Sequence, residues 1–588
     1  MTDQAGATYD VAILGGGLAG LSLGRQLKLV RPETSVFIAE KRSGPAPEAA
    51  FKVGESTVEL AANYFGEKLG LKEDLEVNQL HKMSLRYFYP AGDNSDLAQR
   101  VEFGTPFKPP VPSYQLDRGK FENELARRNL VAGVDLVEGA FVDEVELGGD
   151  HHSVTIVRGG PGGERTTISA RWVVDAAGRA FILKRKLGLE EDNAHVINSS
   201  WFRLAGGLDY EKWVEDDPEW LERVPTRGLR RLATTHLMGQ GYWVWLIPLS
   251  SGPVSIGIVA DPRFHPFERI NTFEGAVDWL REHEPQLAVE VEARRDQVED
   301  FLKIEDFSYG CKQVYSGGDR WSLVGEAGPF LDPFYSPGSD FIAMGNTLTT
   351  DLVVRDLNGE DVTERAKAHN DFFLAAYDLV LTWYQDQYVF FGDPQISIIK
   401  VGCNNLAYWS TTASLMCHDK LADTEFRAAV MPEIERIWQL SRRLEKLLRD
   451  WYEAAPHEYE RAHIHTSWFP GVGLRHVQMG IPFDDDALKA KFTEDRKAME
   501  ALAVAVFHKA ASESLGEAPD PNVPINPYGV GLDADRWEQD GLFGEPGMPL
   551  EVAHKIAQGV ENYWLDRPPA PGLGAAPPDL RPLLARRG

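Results

Sequence analysis

The sequence predicts an α/β fold, and three observations carry that expectation. A strand, a glycine-rich turn, a helix and a second strand follow one another within the first forty residues. Strand-like and helical segments then alternate as far as Val324, and helical periodicity dominates from about Gly345 to about Ser514. Tyr9–Leu14 (YDVAIL) is the first apolar strand and Gly15–Gly20 the turn. Leu18–Leu29 is the helix, with Leu21, Leu23, Leu27 and Leu29 apolar, and Ser35–Ala39 (SVFIA) is the second strand. That order is a βαβ unit. Asp117–Ala132 is helical in pattern, and Asp135–Glu138, Val142–Leu147, Ser153–Val157 and Thr166–Val174 read as sheet with hairpins. A mixed β and α pattern runs from about Ile197 to Phe307, where Gly241–Ala260 supplies two β-rich segments around a Ser-Ser-Gly turn. Arg320–Val324 returns to a buried strand.

Composition narrows the function classes. A chain of 588 residues exceeds one ordinary domain. With 61 basic and 89 acidic residues it carries a formal charge of −28, which argues against nucleic acid or an anionic membrane as partner. Cys311, Cys403 and Cys417 lie far apart, without the spacing of a disulfide framework or a thiolate metal site. No basic-then-apolar leader is visible, and no apolar run reaches the roughly 18–20 residues of a membrane span. These features point to a cytoplasmic enzyme. The fifteen Trp favour an aromatic-rich core or an aromatic-lined cavity.

Gly15-Gly16-Gly17-Leu18-Ala19-Gly20 fits GxGxxG between a strand and a helix. Gly15 allows the tight turn, Gly17 lets the backbone approach a pyrophosphate at the helix N-terminus, and Gly20 permits close helix–strand packing. Glu40, twenty residues beyond Gly20, ends the second strand where an acid accepts bonds from a ribose. The motif alone does not separate NAD from FAD. Val173–Arg179 (VVDAAGR) and Leu323–Gly338 (LVGEAGPFLDPFYSPG) resemble the second and third FAD-contacting motifs of glutathione-reductase-type flavoproteins. The resemblance implies a glutathione-reductase-type FAD-binding fold, with Asp175, Gly178, Gly325, Asp332, Pro333 and Gly338 near the cofactor. Arg118, in YQLDR, resembles that group's arginine beside the flavin. No second GxGxxG has comparable context, which argues against a dedicated NADPH domain.

Trp243-Val244-Trp245-Leu246-Ile247-Pro248 is WxWxIP, and this hexamer resembles the signature of the flavin-dependent halogenases. As a strand it sends Trp243, Trp245 and Ile247 to one face. In that family these residues, with Pro248, crowd the flavin and keep organic substrate away from the oxidant. Val53–Thr57 (VGEST) resembles a family stretch beside the flavin, which places Gly54, Glu55 and Ser56 there. Lys82 falls, in its spacing from VGEST, where the family carries a catalytic lysine; Lys52 is the competing candidate. The resemblance implies that FADH2, dioxygen and chloride or bromide yield hypohalous acid. Lys82 then handles it as a haloamine or by hydrogen bonding from its ammonium. A haloamine needs the free amine, which burial favours.

Two positions depart from the family. Tyr335 stands where tryptophan-specific members have a glutamate, which points to a phenol- or pyrrole-like substrate, free or tethered to a carrier protein. Pro337 stands where the family offers a backbone N–H to halide, and proline has none. Gly338 and Ser339 remain to supply amides. Ser336 keeps its family position beside the lysine. The family implies a separate NAD(P)H-dependent flavin reductase. A halogenase-like aromatic monooxygenase stays the alternative, and a non-catalytic flavin-binding protein a further one. His463 and His465 lack a converging Cys or acid cluster and read as structural. The expected division is residues 1–195 and 309–358 for FAD, 196–308 for a mixed-sheet substrate domain, 359–515 helical, and 516–588 a Pro/Gly-rich tail, extended over 568–582.

Overall fold

The computed structural model describes residues 6–565 apart from 50, 51, 161, 456–458, 467, 468, 517 and 518. The stretch 568–582 lies outside the described residues. The first sheet is built on Thr8–Leu14, wholly buried over Val11–Leu14 because both faces are covered. Thr8–Leu14 pairs in parallel with Val36–Glu40 on one side and Glu164–Asp175 on the other. Asp135–Glu138 extends the sheet beyond the first, and Trp321–Leu323 beyond the second, both in parallel. The antiparallel strands Ala140–Glu146 and His152–Arg158 form the hairpin layer attached to Glu164–Asp175. Helix Leu18–Val30 runs back over the sheet, and helices Arg118–Val131 and Gly338–Leu357 pack against it.

The second sheet takes its strands from four separated stretches of chain. Its spatial order is Leu302–Ile304, Asn198–Leu204, Val254–Ala260, Tyr242–Pro248, Thr234–Gly239, Leu85–Tyr89, Val101–Gly104 and His463–His465. Along Tyr242–Pro248 the alternation is complete. Trp243, Trp245 and Ile247 enter the large core shared with the first sheet, whereas Tyr242, Val244 and Leu246 enter a second core with Trp220, Trp279 and Leu280. A strand buried on both faces is apolar throughout, and only its register says which side chains look toward the cofactor-type sheet.

The fold is mixed α/β, as the sequence predicts. The helical region begins earlier than the expected Gly345: Gly338–Leu357 is one helix, with Gly338, Ser339 and Asp340 in its first turn. Beyond it, Thr363–Thr382, Pro394–Ser410, Thr424–Ala454 and Asp485–Leu515 are the long helices of the C-terminal region. The longest pair, Thr424–Ala454 and Asp485–Leu515, pack together.

Candidate active site

The glycine turn sits at the carboxyl ends of parallel strands, and each glycine answers to a different neighbour. Gly15 has φ +115°, and a Cβ there would lie 2.5 Å from the Ala176 carbonyl oxygen. A Cβ on Gly20 would lie 2.0 Å from the Gly15 carbonyl oxygen. Gly17, by contrast, faces open space, with only Lys52 Nζ within reach at 3.8 Å. Gly325, also in the left-handed region at φ +61°, would put a Cβ 3.0 Å from that of Ala19. The three glycine-bearing segments therefore converge, with packing demanded at Gly15 and Gly20 and room left above Gly17. An extended ligand presenting phosphate to the amides at the start of helix Leu18–Val30 fits that arrangement.

The carboxylates around this turn hold backbone. Glu40 accepts from Gly16 N at 2.8 Å and from Arg42 N at 2.8 Å. Asp175 accepts from Ala177 N and Leu183 N, closing the turn that contains Gly178, and burial pushes its carboxyl up to about 6. Arg118 donates to the Val53 carbonyl at 2.7 Å and pairs with buried Glu122, which also takes Lys52 at 2.8 Å. Glu55 is buried against Arg203 at 2.7 Å, and Ser255 donates to its second oxygen at 3.2 Å. The same Ser255 accepts from Trp245 Nε1 at 3.1 Å, so VGEST and the WxWxIP strand are stitched together.

Lys82 stands apart from Lys52. It follows the short strand Leu80–His81, and its backbone N–H is fixed to the Ser113 carbonyl at 2.8 Å. Its side chain is 2% exposed. Nζ donates to Ser56 Oγ and to the Thr57 carbonyl, both at 2.8 Å. Ser336 Oγ donates to the same Ser56 Oγ at 2.9 Å, and Thr234 Oγ1 lies 2.8 Å from it. Ser336 reaches that position from a left-handed backbone at φ +61°, a conformation costing about 1–3 kcal/mol for a residue other than glycine. Among the described residues no carboxylate oxygen comes within 4.0 Å of Nζ. Burial accordingly lowers the amine to about 7, opposed by the negative fields of Glu59 and Asp340. A neutral amine has two N–H groups, and Ser56 and Thr57 take both, which leaves its lone pair unengaged.

A cavity opens beside Lys82. Its walls include Tyr87, Phe103, Phe341, Trp383, Tyr384 and Trp409, and its polar groups include Glu59, Asp340, Asn404 and Tyr408. Tyr335 also lines it, with its hydroxyl accepting from Asn404 Nδ2 at 3.2 Å, as does Pro337, which precedes the helix Gly338–Leu357. A Cβ on Gly338 would meet nothing within 4 Å, and Ser339 is 3% exposed. Phe334 lies edge-on to Trp243, at 5.3 Å between ring centroids, and 5.7 Å from Tyr87 of the cavity wall. Trp243 is thus one aromatic layer behind the cavity. Its Nε1 donates to Tyr388 Oη at 2.8 Å, and Tyr388 in turn donates to Asp332.

Asp332 is fully buried and also bonds His195 Nε2 at 2.9 Å and Phe334 N at 3.0 Å. Pro333 gives its carbonyl to Ser336 N at 2.8 Å, so it shapes the turn that aims Ser336. His463 and His465 lie on the far edge of the second sheet, beside Val101–Gly104. Sequence reasoning did not single out Glu59, Asp340, Asn404 or Tyr408. An acid in the first turn of a helix is ordinary for dipole reasons alone, so Asp340 carried no distinguishing signal.

No protein-family model matches the chain. It is 27% identical over 386 residues, 59% of its length, to "Flavin-dependent halogenase chlA" of Dictyostelium discoideum, and spans 60% of that relative. It is 26% identical over 406 residues to the 1H-pyrrole-2-carbonyl-peptidyl-carrier-protein chlorinase of Pseudomonas fluorescens, covering 64% of this chain and 82% of that one. Among solved structures, halogenase PltM has the same fold, with a TM-score of 0.57 at 16% identity, covering 86% of this chain and 94% of that one. The chain is thus similar in sequence to flavin-dependent halogenases and shares the fold of solved ones.

Proposed function

We propose that the protein halogenates an electron-rich, phenol- or pyrrole-like aromatic, using reduced FAD, dioxygen and chloride or bromide. The observation that carries this reading is Lys82: a buried amine with neutral hydrogen-bond partners, lowered to about 7, on the wall of an aromatic cavity. When bound, reduced FAD supplies with dioxygen the oxidising power that turns halide into hypohalous acid. The Gly15–Gly20 turn and Glu40 would hold its nucleotide end, with Gly178 and Gly325 at the neighbouring strand ends. The amides of Gly338 and Ser339, at the start of a twenty-residue helix, would hold halide in place of the N–H that Pro337 lacks.

The chain's own residues then do four things. Ser56 and Thr57 fix the Lys82 amine through its hydrogens, leaving the lone pair to take halogen from hypohalous acid with loss of water. Ser336 holds Ser56 in place. Trp243 and Trp245, backed by Phe334, separate the oxidant from the substrate cavity. The aromatic walls bury the ring and exclude water. Reduced flavin is proposed to come from a separate NAD(P)H-dependent reductase. The substrate arrives either free or on a carrier protein, as named for the pyrrole relative.

Mass spectrometry tests this with purified protein, FAD, a flavin reductase, NADH and a panel of phenols and pyrroles, free and carrier-linked. The expected product shows the chlorine or bromine isotope pattern and requires halide. An oxygenated product indifferent to halide would replace the reading with an aromatic monooxygenase.

A further inference from the structure

Lys82 shares its cavity with the buried carboxylate of Asp340. Asp340 lies in the first turn of helix Gly338–Leu357, lines the cavity and is 4% exposed. Its Oδ1 accepts from Ala61 N at 2.9 Å and its Oδ2 from Tyr408 Oη at 2.6 Å. The Tyr408 hydroxyl is held in turn by Leu60 N at 3.2 Å and also lines the cavity. Among the described residues no cationic nitrogen comes within 4.0 Å of Asp340.

Many buried carboxylates elsewhere have a cation at close range: Glu55 has Arg203, Glu284 has Arg100, Glu445 has Lys400 and Asp495 has both Arg475 and Lys491. Among the described residues Asp175 and Asp117 share with Asp340 the lack of a close cation, but neither is among the residues that line the Lys82 cavity. A buried acid without a cation is costly, and such a group on a cavity wall is more readily explained by chemistry than by stability. The neighbouring acid Glu59 is committed, bonded to His476 at 3.1 Å and Trp409 at 3.3 Å. Asp340 and Lys82 are therefore two uncompensated groups on one cavity, farther apart than an ion pair and close enough to sense each other's charge.

The geometry points to Asp340 as the general base of the halogenation, accepting the proton of the substrate's ring-activating O–H or N–H while Lys82 delivers the halogen. The inference rests on the proposed function. The step balances without a further reagent. The ring carbon's electron pair forms the carbon–halogen bond, and the nitrogen–halogen pair returns to Lys82 nitrogen. The O–H or N–H proton passes to Asp340, and its bonding pair enters the ring. The ring C–H proton is then lost as aromaticity returns; one of the two protons restores the lysine N–H and the other returns to the product's oxygen or nitrogen, which frees Asp340 again. Tyr408 is a positioning residue: its hydroxyl orients the carboxylate and holds its basicity down. Burial raises the Asp340 carboxyl to about 7, with Glu59 adding to the rise and Tyr408, the Ala61 amide and Lys82 opposing it.

The test uses the full chain with FAD, a reductase and bromide, given phenols of graded acidity or a 1,3-diketone that reacts with hypohalous acid directly. For Asp340→Asn, aryl bromide formation relative to diketone bromination by the same variant should fall about 100-fold with an unactivated phenol. The deficit should shrink steadily as the phenol becomes more acidic, because an already ionised phenol needs no base. Tyr408→Phe should move the acid limb of the aryl bromide profile to higher pH. A readout independent of turnover is bound p-nitrophenol, whose ionisation in the wild type should lie above its free value and drop in Asp340→Asn. An Asp340→Asn partition within threefold of wild type, or a deficit that ignores phenol acidity, overturns the assignment. If Asp340→Asn does not fold, an unmoved acid limb in Tyr408→Phe overturns it alone. A wild type that brominates neither phenol nor diketone sinks the proposed function instead.

Discussion

Lowering the pH from 8 to 6 should slow aryl halide formation steeply, because two groups must each lose a proton before the cavity is competent. Lys82 is lowered to about 7 and Asp340 raised to about 7. The directions converge on one window: as pH falls through it, the amine gains the proton that blocks its lone pair and the carboxylate gains the proton that ends its basicity. For one group titrating near 7, the competent fraction falls roughly tenfold between pH 8 and pH 6. Two groups titrating together give a fall of up to about 100-fold, with a limiting slope approaching two, and their macroscopic values belong to the pair. Above about pH 8 the rate should level off. An unburied lysine would have only about one part in 3,000 of free amine at pH 7, against about half here. The assay is single-turnover quench of pre-reduced, FAD-loaded protein with saturating halide and a phenol ionising well above pH 9, products counted by mass. Asp340→Asn should retain a limb of slope one from Lys82 alone, moved to lower pH because the Asp340 field that raises the amine is gone, so the fall between pH 8 and pH 6 is less than about tenfold. A wild-type rate that is flat, or that rises toward acid, would refute the free-amine reasoning and favour an ammonium that acts by donating a hydrogen bond.

Three further outcomes follow from the same geometry. Lys82→Met should abolish aryl halide formation by at least about 100-fold while FAD binding, followed by fluorescence titration, persists; retention of turnover would remove Lys82 from the chemistry. The same variant should be at least as stable as wild type to urea at pH 7, since a lysine held near 7 in the fold is protonated in the unfolded chain at a cost of about 4 kcal/mol, partly offset by about 1–2 kcal/mol for the unmet Thr57 carbonyl. That advantage should fade as pH rises from 7 toward 10.5, because the unfolded lysine then also loses its proton. Gly257→Ala should destabilise by about 1–3 kcal/mol, because its Cβ would fall 2.1 Å from the Trp245 ring; an unchanged urea midpoint would mean that the wall is looser than its packing indicates.

The sequence by itself determined the pieces that depend on local geometry. GxGxxG between a strand and a helix is legible because the turn and the close packing admit only glycine, and Gly15 and Gly20 indeed face backbone at 2.5 and 2.0 Å. The hexamer from Trp243 to Pro248 was legible as a strand, and strict alternation sent its two tryptophans to one face. Lys82 could be ranked above Lys52 only by its spacing from VGEST. The tertiary structure separates them physically: Lys52 is paired with Glu122, whereas Lys82 has only neutral partners.

What tertiary structure alone decided is the cavity and its charge balance. Asp340, Tyr408 and Glu59 meet Lys82 from segments as much as 349 positions apart, on helices whose periodicity says only that one face is buried. Whether a buried carboxylate is neutralised depends on which distant side chain reaches it through space. Glu445 finds Lys400 and Asp340 finds no cation, and no local pattern distinguishes the two. Local rules set backbone shape over a few residues, whereas the ionisation of a buried group is fixed by everything packed around it.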